Sequence, residues 1–243
     1  MANLIIDIGN TAIKACWSDG MTLGKTHRYQ GEHVVDFILS LLDKTKPDIT
    51  VVSCAYSISR EDESLLRKYC GDNIMILDPS HKDYLARKGL PSYITYDRAA
   101  ALLASKYLFK GHGCTVVDLG TTLTVDFLDS EGGYLGGNVS IGLRSRFRAL
   151  NRYSRALPLI NTPSDDVSVV GQTFESSVES GVVSGIMFEI GGYLSLYPDN
   201  MVVFTGGDAI YFAKRIKNSI FVVCNLVLMG LALIADENVV KDN

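Results

Sequence analysis

A short motif that occurs twice constrains this chain more than any other feature. Leu4 to Lys14 reads LIIDIGNTAIK, and Thr115 to Thr124 reads TVVDLGTTLT. Each copy is an apolar run, then Asp-x-Gly-(Asn/Thr)-Thr, then a return to apolar residues. The pattern reads as a β-hairpin, with turn residues between β-branched runs. The two aspartates, Asp7 and Asp118, are separated by close to half of the 243 residues. The copies therefore open two similar halves, and we expect lobes over residues 1–112 and 113–243, each long enough to bury its own core.

The segments between the motifs alternate. Val34 to Leu42 has helical spacing of apolar residues, Ile49 to Cys54 reads as a buried strand, Ser64 to Tyr69 as a helix and Ile74 to Leu77 as a strand. Arg98 to Leu108 is a helix rich in Ala and Leu, with Gly111 and Gly113 beyond it. In the second half, Val116 to Leu128 and Tyr134 to Asn138 read as strands. Leu143 to Leu157 is amphipathic, with Leu143, Phe147, Leu150 and Leu157 on one face. Val178 to Leu196 is expected to be a helix, Met201 to Phe204 a strand, and Thr205-Gly206-Gly207-Asp208 a turn. Strands followed by strand–helix alternation define an α/β architecture.

Composition narrows the chemistry. The chain has 27 acidic against 23 basic residues, a formal charge of −4. It lacks a whole-surface attraction for phosphate backbones, so nucleic acid is not an expected partner. With 47% hydrophobic residues it is no disordered chain. Cys16, Cys54, Cys70, Cys114 and Cys224 are odd in number and form no CxxC pair, so they read as buried free thiols in a reducing compartment. The opening MANLIIDIGN lacks a basic region and is interrupted by Asp7, unlike a signal peptide. The most apolar stretch, Ile220 to Ala235, is shorter than the roughly 18–20 residues of a membrane span and reads as a strand running into a helix. A cytoplasmic chain with no membrane partner is expected.

The paired turns suit a triphosphate. Phosphoryl transfer needs donors around phosphate oxygens, a carboxylate for a cation and a placed nucleophile. Asp7, Gly9, Asn10 and Thr11 supply such parts in one turn, with the Lys14 charge just beyond. Asp118, Gly120, Thr121 and Thr122 supply them again. The two turns are expected to face one cleft, and the Thr205–Asp208 turn to let a flat base lie near the backbone.

The chain resembles the actin/sugar-kinase/Hsp70 nucleotide-binding superfamily and, more narrowly, the type III pantothenate kinase family. The matching pieces are DIGNTAIK (Asp7 to Lys14), YDR (Tyr96 to Arg98), VVDLGTTLTVD (Val116 to Asp126), GGYLGGNVSIGL (Gly132 to Leu143), LP (Leu157-Pro158), GQTFESSVESGVVSG (Gly171 to Gly185), TGGDA (Thr205 to Ala209) and LVLMGL (Leu226 to Leu231). The resemblance implies two ribonuclease-H-like lobes, each a mixed sheet with helices, and a nucleotide cleft. It implies ATP-dependent phosphorylation of pantothenate, Mg²⁺ with the ATP, a monovalent cation (K⁺ or NH₄⁺) and a homodimer. Asp7, Ile8, Gly9, Asn10, Thr11, Ala12, Ile13 and Lys14 match its first phosphate loop, and Thr121 a nucleotide contact. Asp97 matches the catalytic base and Asp118 the monovalent-cation ligand. Thr95, Tyr96, Asp97, Arg98 and Thr173 match substrate-binding positions. Thr95 stands where the family has glycine, and the preceding GLPSYI is shortened, with Tyr93 the candidate for the family's tyrosine.

Two rival readings share the scaffold: a non-catalytic transcriptional regulator, and a kinase for another small alcohol. Asp97-Arg98 in isolation also reads as a helix N-cap followed by a solvated cation. Arg144, Arg148, Arg152 and Arg155 are expected on one solvated helical face. His27, His33, His81 and His112 lack metal-ligand spacing.

Overall fold

Strand β1 (Asn3–Ile8) is buried along its whole length. Its alternate residues Leu4, Ile6 and Ile8 enter one core with Ile38 and Leu66. The computed structural model describes residues 2–42, 46–71 and 73–239. β1 pairs antiparallel with β2 (Ile13–Asp19) and parallel with β5 (Thr50–Cys54), which pairs parallel with β6 (Ile74–Leu77). Two short strands, β3 (Thr22–Leu23) and β4 (His27–Tyr29), add to the far side of β2.

The second sheet has the same plan. β7 (Cys114–Leu119) pairs antiparallel with β8 (Thr122–Leu128), and β8 with β9 (Tyr134–Ile141). On its other side β7 runs parallel to β10 (Met201–Thr205), and β10 to β11 (Ile220–Val222). Each sheet is thus a hairpin extended on one side and flanked by two parallel strands on the other. This is the ribonuclease-H-like plan, and the duplication visible in two ten-residue motifs extends through both sheets.

Helices fill the crossovers: α1 (Val34–Leu42), α2 (Arg60–Cys70), α3 (Asp83–Arg87) and α4 (Tyr96–Leu108) in the first half, then α5 (Leu143–Tyr153), α6 (Phe174–Leu196), α7 (Ala209–Ala213) and α8 (Leu226–Val239). α2 starts four residues earlier than its apolar pattern indicates. The Ser59 hydroxyl caps it by accepting the Asp62 N–H at 3.0 Å, and Glu61, Asp62 and Glu63 sit in the first turn, where the helix dipole favours them. α5 stops at Tyr153, so Leu157 and Arg155 lie beyond the helix on which they were expected. Leu143 and Phe147 are buried, whereas Leu150 is exposed.

The chain divides into two units at places other than the expected one. One holds the residues up to Leu108 together with those from Asn225 onward; the other is Phe109–Cys224. The boundary comes four residues early, and α8 belongs with the first half instead of the second. The reason is α8's composition. Leu226, Val227, Leu228, Leu231, Ala232, Ile234 and Ala235 are all buried, so the helix needs cover on every side. It finds that cover on α4 and β1. A Cβ on Gly230 would overlap the Ala100 carbonyl oxygen, so the helix backbones meet there directly. In the second unit Val117, Val125, Phe127, Phe147, Ile186, Phe204 and Phe212 form a separate core.

Four of the five cysteines are buried free thiols, but Cys224 is exposed, against expectation, in the bend between β11 and α8. No helix among the described residues is long and apolar enough to cross a membrane.

Candidate active site

The first Asp-x-Gly motif forms its hairpin. Asp7 and Ile8 end β1, Gly9, Asn10, Thr11 and Ala12 make the turn, and Ile13 and Lys14 open β2. The Gly9 N–H donates to the Ala12 carbonyl at 3.2 Å, closing the turn. Asp7 and Lys14 are partners in register across the hairpin, which sets a carboxylate and an ammonium at its tip. On its other side β1 meets β5, with Asp7 opposite Ser53 and Ile8 opposite Cys54.

Cys54 connects this strand end to a cavity. A space of about 180 Å³ is lined by Cys54, Asp78, Lys82, Tyr93, Thr95 and Tyr96 among others. Burial pushes the Cys54 thiol up to about 11, so it stays protonated near neutrality. Thr95 precedes α4, and its carbonyl accepts the Ala99 N–H at 3.0 Å. Tyr96, Asp97 and Arg98 form the first turn. The Asp97 Oδ1 accepts the Arg98 N–H at 2.9 Å. Arg98 is only 8% exposed, so the alternative of a solvated cation fails. Tyr93, by contrast, is 65% exposed at the cavity rim.

Asp78 supplies a buried carboxylate to this cavity wall. Its Oδ2 accepts the Ile58 N–H at 3.0 Å, and its Oδ1 accepts the Ser80 N–H at 2.8 Å and faces His81 Nδ1 at 2.8 Å. Burial pushes this carboxyl up, but the His81 contact and the two amide donors outweigh it and hold it below its ordinary value. Neither Asp78 nor His81 is evident as a site residue in the sequence. The available signal was Asp-Pro-Ser directly after a strand, the composition of a turn in which Asp bonds the amide two residues on. Because the folded carboxyl is the stronger acid, it stabilises the fold fully above the ordinary aspartate value of about 3.9 and loses that contribution as pH falls through the folded value. Thermal melts across pH 2–5 are therefore expected to show a shallower acid limb for Asp78→Asn than for the unaltered chain.

The second motif is equally well formed. Asp118 lies in β7, and Gly120 and Thr121 turn into β8, with the Gly120 N–H on the Thr122 carbonyl at 3.0 Å. The turn is braced from two directions. The Gly142 N–H and the Ser145 hydroxyl donate to the Thr121 carbonyl at 3.1 and 2.8 Å. The Asp208 N–H donates to the Leu119 carbonyl at 3.0 Å, and Thr205 is the register partner of Asp118. The Thr205–Asp208 turn is thus brought beside Asp118. Gly206 has φ +93°, and a Cβ there would lie 2.5 Å from the Leu119 oxygen and overlap Asp118 Oδ1. Its glycine is required by this packing, before any ligand is considered.

Arg144 and Asp208 form an ion pair at 3.7 Å. Burial raises the Asp208 carboxyl, and Arg144 offsets that only in part. Arg146 pairs with Glu189 and donates to the Ile141 carbonyl. Thr173 caps α6: its Oγ1 accepts the Ser176 N–H at 3.1 Å while the Ser176 hydroxyl accepts the Thr173 N–H at 2.8 Å. Its expected contact with substrate has to coexist with that capping box.

Solved structures share this architecture. A Campylobacter jejuni protein described as a Baf-family transcriptional activator has a TM-score of 0.64 at 21% identity, covering 97% of this chain and 98% of that one. The activator of the 2-hydroxyisocaproyl-CoA dehydratase from Clostridium difficile, solved with bound ADPNP, has a TM-score of 0.62 at 15% identity over 100% and 97%. A ROK hexokinase from Thermus thermophilus has 0.58 at 13% identity over 98% and 100%. The fold is that of the actin-like ATPases and sugar kinases.

Sequence comparison is more specific. The family model for type III pantothenate kinase matches residues 3–195. The type III pantothenate kinase of Phocaeicola vulgatus is 34% identical over 243 residues, 97% of this chain and 98% of that one. That of Flavobacterium johnsoniae is 31% identical over 240 residues, 94% and 95% of the two. The chain belongs to the type III pantothenate kinase family.

Proposed function

We propose that the chain transfers the γ-phosphoryl group of ATP to the primary hydroxyl of pantothenate, the entry reaction of coenzyme A synthesis. Membership in a kinase family makes it an enzyme, and the observation that carries the acceptor assignment is the start of α4. There Asp97 sits beside a buried arginine, Arg98, directly after two residues that line a cavity. An alcohol is a weak nucleophile. The Asp97 carboxylate accepts its proton as the new oxygen–phosphorus bond forms and the bond to the β-phosphate oxygen breaks, leaving ADP. Arg98 pairs with the acceptor's carboxylate through parallel hydrogen bonds, which a guanidinium makes better than an ammonium. The family resemblance adds Thr95, Tyr96 (through its ring or backbone) and Thr173 as acceptor contacts. Asp7 to Lys14 and Thr121 hold the nucleotide.

The donor chemistry fits cations that arrive with, or beside, phosphate. Among the described residues no group of three or more His, Cys, Asp or Glu side chains is placed to hold a metal ion unaided. Mg²⁺ commonly uses one or two carboxylates plus phosphate oxygens, which suits the single carboxylates Asp7 and Asp118. Asp118 offers a carboxylate oxygen to the monovalent cation that the family resemblance implies. Such a cation supplies positive charge near the phosphates. Leu135, Val139 and Ile141 are exposed on β9, the edge strand of its sheet, and support pairing with a second copy of the chain. A cytosolic location follows from a dependence on ATP.

Incubating the purified chain with Mg·ATP, K⁺ and a panel of alcohols tests the reading. We expect ADP release with pantothenate, weaker release without K⁺, and little with glucose. Release only with another acceptor reassigns the substrate. None with any acceptor, together with sequence-specific DNA binding, replaces the enzyme by a regulator.

A further inference from the structure

The polar wall of the cavity beside Thr95 and Tyr96 is a continuous chain of hydrogen bonds that ends at the first residue of α4. Asp78 is 3% exposed and ties together two separate segments, the Ile58 N–H after β5 and the Ser80 N–H after β6. It also holds His81 by its ring. The His81 carbonyl, fixed by this turn, accepts the Tyr96 hydroxyl. Tyr96 is 3% exposed, so its hydroxyl is spent on the protein and not on a ligand. Burial pushes that hydroxyl up to about 12, with the charges of Asp78 and Asp83 adding and Arg87 opposing, so it remains a donor throughout the working range.

We propose that Asp78 is a positioning residue for phosphoryl transfer: through the Ser80–His81 turn and the Tyr96 hydroxyl it fixes the start of α4 and with it the Asp97 carboxylate and Arg98. This rests on the reading of Asp97 as the base. The need for such a strut is physical. The first turn of a helix lacks intrahelical acceptors for its N–H groups and frays most easily. Here that turn carries the base and the acceptor's arginine. Displacing a reacting group by about 1 Å costs on the order of 10²-fold in rate.

Tyr96→Phe removes one hydroxyl and keeps the ring. Asp78→Asn keeps the shape but weakens the grip on the two amides and His81. Steady-state kinetics of the full chain are expected to show kcat lowered about tenfold in each variant, with KM for ATP within about twofold of the unaltered chain. Since both changes break the same strut, the double variant is expected to be no slower than the worse single one. A Tyr96→Phe enzyme with unchanged kcat, or losses that multiply in the double variant, overturns the proposal. Should Asp78→Asn not fold, Tyr96→Phe decides alone. Absence of pantothenate turnover in the unaltered chain sinks the functional reading instead. The strut is then judged by amide hydrogen exchange at Arg98 and Ala99. Exchange about tenfold faster in Tyr96→Phe is expected, and an unchanged rate refutes it.

Discussion

Asp97→Asn is expected to lower kcat for pantothenate phosphorylation by about 10²–10⁴-fold, the usual contribution of a positioned proton acceptor. The substitution is unusually clean here. Asp97 Oδ1 accepts the Arg98 N–H, and an asparagine Oδ1 does the same, so the first turn of α4 keeps its bond. What is lost is the charge that takes the alcohol's proton. Nucleotide affinity is expected to stay within about twofold, because the residues assigned to ATP lie on the two hairpins. Rapid-quench measurement of the first turnover separates chemistry from product release, and calorimetric titration with a non-hydrolysable ATP analogue checks the binding. Near-normal turnover in this variant removes Asp97 from the role of base and moves the search to the hairpin carboxylates.

The largest stability effect is expected from Gly230→Ala. Inside a helix this exchange normally stabilises by about 1 kcal/mol, since alanine loses less backbone entropy. Here the sign reverses. The added carbon overlaps the Ala100 oxygen and carbonyl carbon and lies 2.7 Å from its Cα, all of them backbone atoms that no side-chain rotation can clear. Only a shift of α8 from α4 relieves the overlap, and overpacking of this kind costs about 3 kcal/mol. In a chain of this length that lowers Tm by roughly 6–12 °C. Alanine at Gly191 or Gly192, where nothing lies within 4 Å of an added Cβ, is the matched control and should hold or raise Tm. Because α4 carries Asp97, the Gly230 variant is also expected to lose activity below its melting range. A Tm unchanged or raised by Gly230→Ala contradicts the close approach of the two helices.

The features legible in the sequence were those set by neighbouring residues. Asp-x-Gly-Asn and Asp-x-Gly-Thr between β-branched runs form their turns wherever the rest of the chain goes, and both appear as hairpins. β6 and α1 have the bounds their patterns indicate. Other features depend on partners far along the chain. The place of α8 is decided by what covers a helix that is apolar from Leu226 to Ala235, and the cover lies more than a hundred residues earlier, in α4 and β1. The role of Asp78 depends on amides two and twenty residues away and on a tyrosine eighteen residues on. Arg98 reads as a surface cation because charge favours water, and only the packed structure reveals it as buried. Gly206 shows the converse. Its glycine suggests room for a ligand, yet the close approach of β7 already demands it.

The return of α8 to the first half has a consequence for biosynthesis. The unit Phe109–Cys224 is one uninterrupted stretch, free to acquire its core as it leaves the ribosome. The half that was translated earlier has to wait. Until the codons after Cys224 have been read, α4 and β1 lack the helix that covers them, and an apolar surface stays open to solvent and to chaperones. The half made first is thus the half completed last, and the site around Asp97 matures only once the residues after Cys224 are in place.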